Sequence, residues 1–181
     1  MRHRSTKILA GPTIFENKLT EMIRQETDPT NDFLVYQNLD SITAKGLEAQ
    51  VERRLMAGLS GKISYTYTRT RDNTTNEEIV NSPRHMVKCN LSIPVLADQV
   101  FIGVETQYTS SRKMQNGQAV SSYIITNLTI FSQELLKGLE LSGSIYNLFD
   151  KTYTDPGGIE HTQNMIEQDG RLFRIKLAYR Y

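Results

Sequence analysis

The last residues of the chain, 173–181, read FRIKLAYRY and alternate apolar or aromatic side chains with mostly cationic ones. Successive side chains of a β-strand point to opposite faces of a sheet, whereas a helix would scatter the same residues around its circumference. The stretch therefore predicts a final strand with one cationic face and one apolar face, the latter carrying Phe173, Ile175, Leu177, Tyr179 and Tyr181.

The same period of two recurs along most of the chain. Alternation predicts strands at 46–55, 59–69, 86–93, 100–108 and 139–149, and weaker strands at about 15–25 and 32–39. The run 121–132 is apolar on both faces, so its orientation stays open. With the final segment these make about nine strands and no convincing helix, which predicts an all-β, antiparallel, up-and-down fold.

The composition excludes several functions. The formal net charge of +1 leaves no basic excess for binding nucleic acid. Cys89 is the only cysteine, which excludes a disulfide framework and a cysteine-based zinc site. No apolar stretch approaches the ~20 residues of a membrane helix, but a barrel strand needs only ~9–11 alternating residues. Residues 1–11 lack a signal-peptide core, which fits either a cytoplasmic protein or a truncated piece of a longer precursor.

The connections between the predicted strands alternate in length. Short ones are expected near 26–31, 56–58, 94–98 and 133–137, and longer polar ones at 40–45, 70–83, 111–120 and 150–169. Outer-membrane barrels combine short periplasmic turns with long external loops, so the alternation favours a sheet in lipid over a soluble β-sandwich. Because bacterial single-chain barrels have even strand numbers, nine strands indicate either a miscount by one or part of a larger barrel.

Several short motifs resemble those of TonB-dependent outer-membrane receptors. Asn147-Leu148-Phe149-Asp150-Lys151-Thr152-Tyr153 resembles the NLFDKxY signature near the end of that family, and Asp155-Pro156-Gly157 follows it. Gln168-Asp169-Gly170-Arg171-Leu172-Phe173 resembles the QDGRxF start of the last strand, and Tyr181 supplies the terminal aromatic residue. Upstream, the similar segments are Asn38 to Gly46-Leu47-Glu48, Asn81-Ser82-Pro83-Arg84-His85 and Tyr108-Thr109-Ser110-Ser111-Arg112. Their order and spacing over 38–181 make the set specific, and residues 1–14 stay unassigned.

The resemblance implies a transmembrane β-barrel of 22 strands with an N-terminal plug, of which residues 15–181 would form the C-terminal part. It implies a Gram-negative outer-membrane receptor without a cofactor or enzymatic activity. The implied task is uptake of a scarce nutrient such as an iron–siderophore complex. The implied partners are the TonB energising complex, through the plug, together with outer-membrane lipid and the barrel-assembly machinery, which Tyr181 would help to recruit. The alternative is a small non-transport barrel or a soluble β-sandwich binding module.

The polar residues of the last long connection suggest loop structure more than chemistry. Acidic groups and one histidine gather there, namely Asp150, Asp155, Glu160, His161, Glu167 and Asp169, but no metal-ligand spacing links them, so a solvated external loop is favoured over a metal site. Asn147 and Asp150 are expected to shape the exit from strand to loop, because both residue types bond nearby backbone in turns. No catalytic constellation is visible.

Three further expectations concern the sheet itself. His85 is predicted to make a polar contact at a strand start, and Cys89 to face outward as a small filler. A charged inner wall is predicted from Glu48, Glu52, Lys62, Glu105, Arg174, Lys176 and Arg180. These charges either pair across strands or contact a plug or an anionic ligand. Loops 70–83, 111–120 and 150–169 are expected to face outside and to contribute to ligand capture.

Overall fold

The computed structural model describes residues 7–55, 58–96, 99–132 and 137–180. Its strands are β1 (Lys7–Thr27), β2 (Leu34–Arg54), β3 (Ser60–Asp72), β4 (His85–Leu96), β5 (Val100–Thr109), β6 (Arg112–Lys113), β7 (Ala119–Val120), β8 (Tyr123–Ser132), β9 (Leu139–Tyr146), β10 (Thr154–Pro156), β11 (Met165–Glu167) and β12 (Leu172–Tyr179). No helix in the described part of the chain is long and apolar enough to cross a membrane. The all-β fold class is confirmed.

Eight strands form one antiparallel sheet in the order β1-β2-β3-β4-β5-β8-β9-β12. The other four are short and form two hairpins, β6–β7 and β10–β11, within the connections. The eight strands follow one another in the sheet in the same order as along the chain, so the chain runs up and down as expected. The sheet is open, because β1 and β12 each pair with one neighbour within the described residues. This contradicts the small closed barrel.

The strand count differs from the expected nine because two predicted strands are one. The connection expected at 40–45 is wrong, since β2 continues through it from Leu34 to Arg54. Residues 42–45 pair with β1 on one side and with β3 on the other, and Ile42 is only 6% exposed. The polar side chains of this stretch therefore belong to a strand that is hydrogen-bonded on both edges.

Because β2 is continuous, the turn that precedes it lies at the opposite end of the sheet from the one expected. The turn expected at 26–31 was predicted to share an end with the short connections, and this is wrong. It lies between β1 and β2 at the same end as the long connections 73–84, 110–122 and 147–171. Each of these two strands has 21 residues, and β3 pairs with β2 only from Ile42 onward. At ~3.4 Å per residue, the hairpin extends roughly 25 Å beyond β3.

One face of the sheet, called the outer face below, is apolar from β12 to β1. It carries Phe173, Ile175, Leu177 and Tyr179, which are 66–82% exposed. The strand register places on the same face Leu141, Ile130, Ile102, Leu91, Ile63, Val51 and Ile14. A soluble β-sandwich would bury these side chains against a second sheet. The described residues form no such sheet, so this alternative is contradicted.

The opposite face, called the inner face below, is mostly polar. The register places there Glu48, Glu52, Lys62, Asn90, Glu105, Thr129 and Ser144. Apolar side chains interrupt it in places, among them Phe101 and Phe131, whose rings stack with centroids 5.2 Å apart. An apolar outer face with a polar inner face is the arrangement of a barrel wall in lipid.

Candidate functional site

The long connections meet at one end of the sheet, and Arg112 lies at the centre of their contacts. Its side chain is 7% exposed. Nη1 donates to Oδ1 of Asn81 (3.1 Å), and Nη2 donates to Oδ1 of Asp155 (2.5 Å) and to the carbonyl of Thr154 (3.3 Å). One guanidinium therefore joins loop 110–122 to loop 73–84 and to loop 147–171. Its Nε is buried and has no hydrogen-bond partner.

Two tyrosines complete the surroundings of this guanidinium. Its carbon lies 5.4 Å from the ring centroid of Tyr123, whose hydroxyl donates to Asp155 (3.4 Å). The ring of Tyr153 packs on Tyr123 with centroids 4.4 Å apart. Burial, with the nearby Tyr123, Asp155 and Asp169, raises the pKa of Tyr153 above its ordinary value. Tyr153 therefore stays neutral beside this ion pair at physiological pH.

A second set of contacts links loops 73–84 and 110–122. The amide of Asn81 donates to the carbonyl of Lys113 (3.0 Å), and the Lys113 ammonium lies 2.8 Å from Glu77. The Lys113 ammonium lowers the pKa of Glu77. Burial alone would raise the pKa of Glu78, but the guanidiniums of Arg84 and Arg69 lower it overall.

The loops also contain most of the buried apolar side chains. In the described residues, Ile42, Met114 and Val120 are the buried hydrophobic ones, and two of these lie in loop 110–122. Met114 is 2% exposed and Val120 is 1% exposed. The strand that holds Val120, β7, contacts β10 of loop 147–171, where Pro156 is buried. The loops thus have a small packed core of their own.

The motif Asn147–Tyr153 forms the corner that leaves β9. Asn147 is 4% exposed with a positive φ of 49°, and its side chain bonds both the amide (2.8 Å) and the carbonyl (2.9 Å) of Lys151. Asp150 accepts from the amide of Arg171 (2.8 Å), which joins the corner to the start of β12. A Cβ on Gly170 would lie 2.9 Å from that same carboxylate.

Residues of the second motif, 168–173, hold the end of this loop that leads into β12. The amide of Gln168 donates to the carbonyl of Tyr153 (3.0 Å), and the carbonyl of Asp169 accepts from Asn147 (3.4 Å). The amide of Leu148 donates to Thr126 of β8 (2.7 Å), whereas Phe149 is 74% exposed. The two motifs, distant in sequence, thus meet in space. Tyr181 lies outside the described residues.

The acidic groups of the last loop are dispersed. Asp155 pairs with Arg112, Asp150 with the amide of Arg171, and Glu160 with His161 (3.4 Å). Glu167 and Asp169 are exposed. No group of three or more His, Cys, Asp or Glu in the described residues could hold a metal ion.

His85 and Cys89 lie on the outer face. Nδ1 of His85 lies 2.9 Å from the hydroxyl of Tyr65, and its ring lies 5.2 Å from that of Tyr67. This aromatic group stands near the long-loop end, where a barrel carries a ring of aromatic side chains at the membrane interface. Cys89 is exposed opposite Ile63 and Thr106.

The predicted charged wall lies on the inner face. The ion pairs of these residues are made with partners outside the predicted set. Glu52 pairs with Arg54 of its own strand (3.2 Å), and Arg180 pairs with Glu140 (3.2 Å). Lys62, Glu105, Arg174 and Lys176 are exposed on this face.

The β1–β2 hairpin carries exposed apolar side chains beyond the sheet. Ile23 is 71% exposed, Phe33 69% and Tyr36 74%. Sequence analysis missed this feature because it placed a connection within β2. Little signal for one long strand was present in the sequence, because Ser41, Thr43 and Lys45 interrupt the apolar alternation.

The fold and its loops define one wall of a transmembrane-type β-barrel with long connections at one end. The family model described as "TonB dependent receptor-like, beta-barrel" matches residues 5–148. The chain belongs to this family of TonB-dependent receptors. Comparison with curated proteins gives no match.

Solved structures with the same fold are receptors and transporters. The ferric enterobactin receptor from Pseudomonas aeruginosa has a TM-score of 0.73 and 20% identity, over 95% of this chain and 29% of the receptor. The copper transporter OprC has a TM-score of 0.75 and 15% identity, over 96% and 29%. The siderophore receptor PiuA from Acinetobacter baumannii has a TM-score of 0.69 and 18% identity, over 96% and 26%. The chain thus spans between a quarter and a third of each of these proteins.

Proposed function

We propose that the chain forms the C-terminal part of the barrel wall of an outer-membrane receptor for uptake of a scarce nutrient, with a ferric siderophore as the ligand class. The observation that carries the proposal is the sheet itself. Its outer face is apolar in register from β1 to β12, and its inner face is polar. Such a sheet needs lipid on one side and an aqueous or protein-filled lumen on the other.

The proposal assigns partners to each surface of the sheet. The strands from β1, which begins at Lys7, to β12 belong to the barrel. β1 and β12 pair with strands of the rest of the receptor, because open sheet edges are not tolerated in lipid. The outer face contacts outer-membrane lipid. The charged inner face contacts a plug domain, through which the TonB complex supplies energy. Tyr181 contributes to recognition by the barrel-assembly machinery.

The siderophore class is supported by the proteins of the same fold. Among them are receptors named for ferric enterobactin, for ferripyoverdine and for siderophores in general. In this chain, Phe33, Tyr36 and Ile23 offer exposed apolar surface at the long-loop end, which suits a bulky organic chelate better than a bare ion.

A chimeric receptor tests the proposal. Residues 7–180 replace the structurally matched part of the ferric enterobactin receptor, and heat-modifiable migration on gels measures whether the barrel closes in the outer membrane. We expect insertion, with uptake of ⁵⁵Fe-labelled enterobactin reduced because the outer loops have changed. A chimera that remains in the periplasm or in aggregates contradicts the barrel assignment.

The loops are tested separately from the wall. In the same chimera, loops 73–84, 110–122 and 147–171 are returned to the host receptor's sequence. We expect insertion to stay unchanged and enterobactin uptake to recover. Loss of insertion would contradict the topology, and unchanged uptake would contradict a role of these loops in ligand capture.

A further inference from the structure

The outer loops of this chain do not have the organisation of independent flexible loops. Connections as long as 147–171 usually either acquire their own structure or remain mobile. Here each of the two longest contains a hairpin, β6–β7 or β10–β11. The packed residues Met114 and Val120 lie in the first of them, and β7 of that hairpin contacts β10 of the second.

Polar contacts join loop 110–122 to each of the other two loops. Arg112 bonds Asn81 of loop 73–84 and Asp155 of loop 147–171 at the same time. Lys113 adds a second link to loop 73–84 through its carbonyl, which accepts from Asn81. The guanidinium of Arg112 therefore bonds both of the other loops directly.

Burial makes this guanidinium decisive for the arrangement. The guanidinium is 7% exposed and the carboxylate of Asp155 is 33% exposed, so removing Asp155 would leave a buried charge uncompensated, which is strongly destabilising. The Nε of Arg112 is already buried without a hydrogen-bond partner, which costs folding free energy. The hydrogen bonds of Nη1 and Nη2 therefore favour the arrangement in which the three loops meet at this side chain.

We propose that loops 73–84, 110–122 and 147–171 form a single rigid rim held by Arg112 as its positioning residue. The three loops keep their mutual placement as one body, and rearrangement within the mouth of the barrel falls to the β1–β2 hairpin. The hairpin is attached to the rim at its base, where Asn73 bonds Ser41 (2.7 Å). Above that point β2 has no ladder contact with β3.

Hydrogen exchange of the backbone amides tests this proposal on the chimeric receptor that carries residues 7–180, folded in detergent micelles or membranes with no ligand present. Arg112→Ala should raise exchange by about tenfold or more in all three loops together, because each loses its common partner. Peptides of β8 and β9 should keep their protection. Lys113→Ala is the matched control: it removes an exposed ion pair next to Arg112, and its effect should stay small and confined to loop 73–84.

Faster exchange in loop 110–122 alone would overturn the proposal, and so would an unchanged pattern in Arg112→Ala. If that variant also loses protection in β8 and β9, Asp155→Asn decides, because it removes the charge of the partner and keeps its shape. That variant must again loosen the three loops together. The inference rests on the proposed function only for treating this end as the ligand-facing one. Since exchange is measured without ligand, a rim could be found in a receptor that binds no siderophore.

Discussion

At the scale of single residues, Gly46 shows why one motif position requires a glycine. It lies directly opposite Phe15 of β1, and the phenyl ring lies over it on the inner face. A Cβ at this position would be 2.5 Å from Cζ of Phe15 and 2.2 Å from the carbonyl oxygen of Tyr67. The ring can turn away, but the backbone of β3 cannot move without breaking its ladder. The glycine therefore permits the close approach of two strands and a ring.

Gly46→Ala should consequently lower the free energy of unfolding by about 1–3 kcal/mol, the usual cost of overpacking. Gly11→Ala is the control, because a Cβ on Gly11 meets nothing within 4 Å. Both substitutions are made in the chimeric receptor, and the measurement is the urea midpoint of its heat-modifiable migration. Equal midpoints would show that the strands accommodate the methyl group.

Asn147 combines two roles that substitution can separate. Its φ of 49° is unfavourable for most side chains, and its amide bonds Lys151 twice. Asn147→Gly keeps the backbone conformation accessible and loses the side-chain bonds, whereas Asn147→Ala loses both. We expect the alanine variant to be less stable than the glycine variant by about 1 kcal/mol. Urea unfolding of the two variants measures the difference, and a glycine variant of lower stability would contradict the role of φ.

At the scale of elements, the sequence predicted the features that depend on local patterns and missed those that depend on long-range contacts. The corner at Asn147 and Asp150 was predictable, because Asn and Asp bond nearby backbone at turns. The strand β2 was only half predicted, since Ser41, Thr43 and Lys45 look like a loop until β1 and β3 are known to pair with them. The contact of Arg112 with Asp155 was not predictable, because it depends on the conformations of two long loops.

Loop 73–84 should respond to acid in a defined direction. The Lys113 ammonium holds the pKa of Glu77 below its ordinary value of 4.5. Because the folded pKa is the lower one, this link stabilises the loop fully above pH 4.5 and is lost as the pH falls through the folded pKa. Glu78, whose pKa is also lowered, acts in the same sense.

A spin label measures this response. With Cys89→Ser as background and the label at Thr75→Cys, its mobility should rise as the pH falls below 4.5. Glu77→Gln should already be more mobile at pH 7 and should show a smaller change on acidification. A loop whose mobility is the same at every pH would show that the exposed ion pair does not restrain it.

At the scale of the whole molecule, the two faces of the sheet reconcile a polar composition with the proposed barrel wall. The hydrophobic fraction is only 38%, because half of the strand side chains lie on the mostly polar inner face and the long loops are rich in polar residues. The alternation of apolar and polar residues predicted the two faces of each strand. It did not predict the strand register, because the register depends on which residues of neighbouring strands pair.

Charge placed on one face or the other should therefore have unequal effects. Ile130 lies on the outer face, opposite Ile102 of β5, and is 49% exposed. Glu105, on the inner face of the neighbouring strand, is also exposed. Ile130→Arg should lower insertion, because a guanidinium on the lipid face costs up to about 2–4 kcal/mol at the bilayer midplane and less toward the interface, whereas Glu105→Arg faces the lumen and should insert as the parent does. Heat-modifiable migration after a carbonate wash of membranes measures the inserted fraction. Equal insertion of the two variants would show that the outer face does not contact hydrocarbon, since a guanidinium there would have no water to hydrate it.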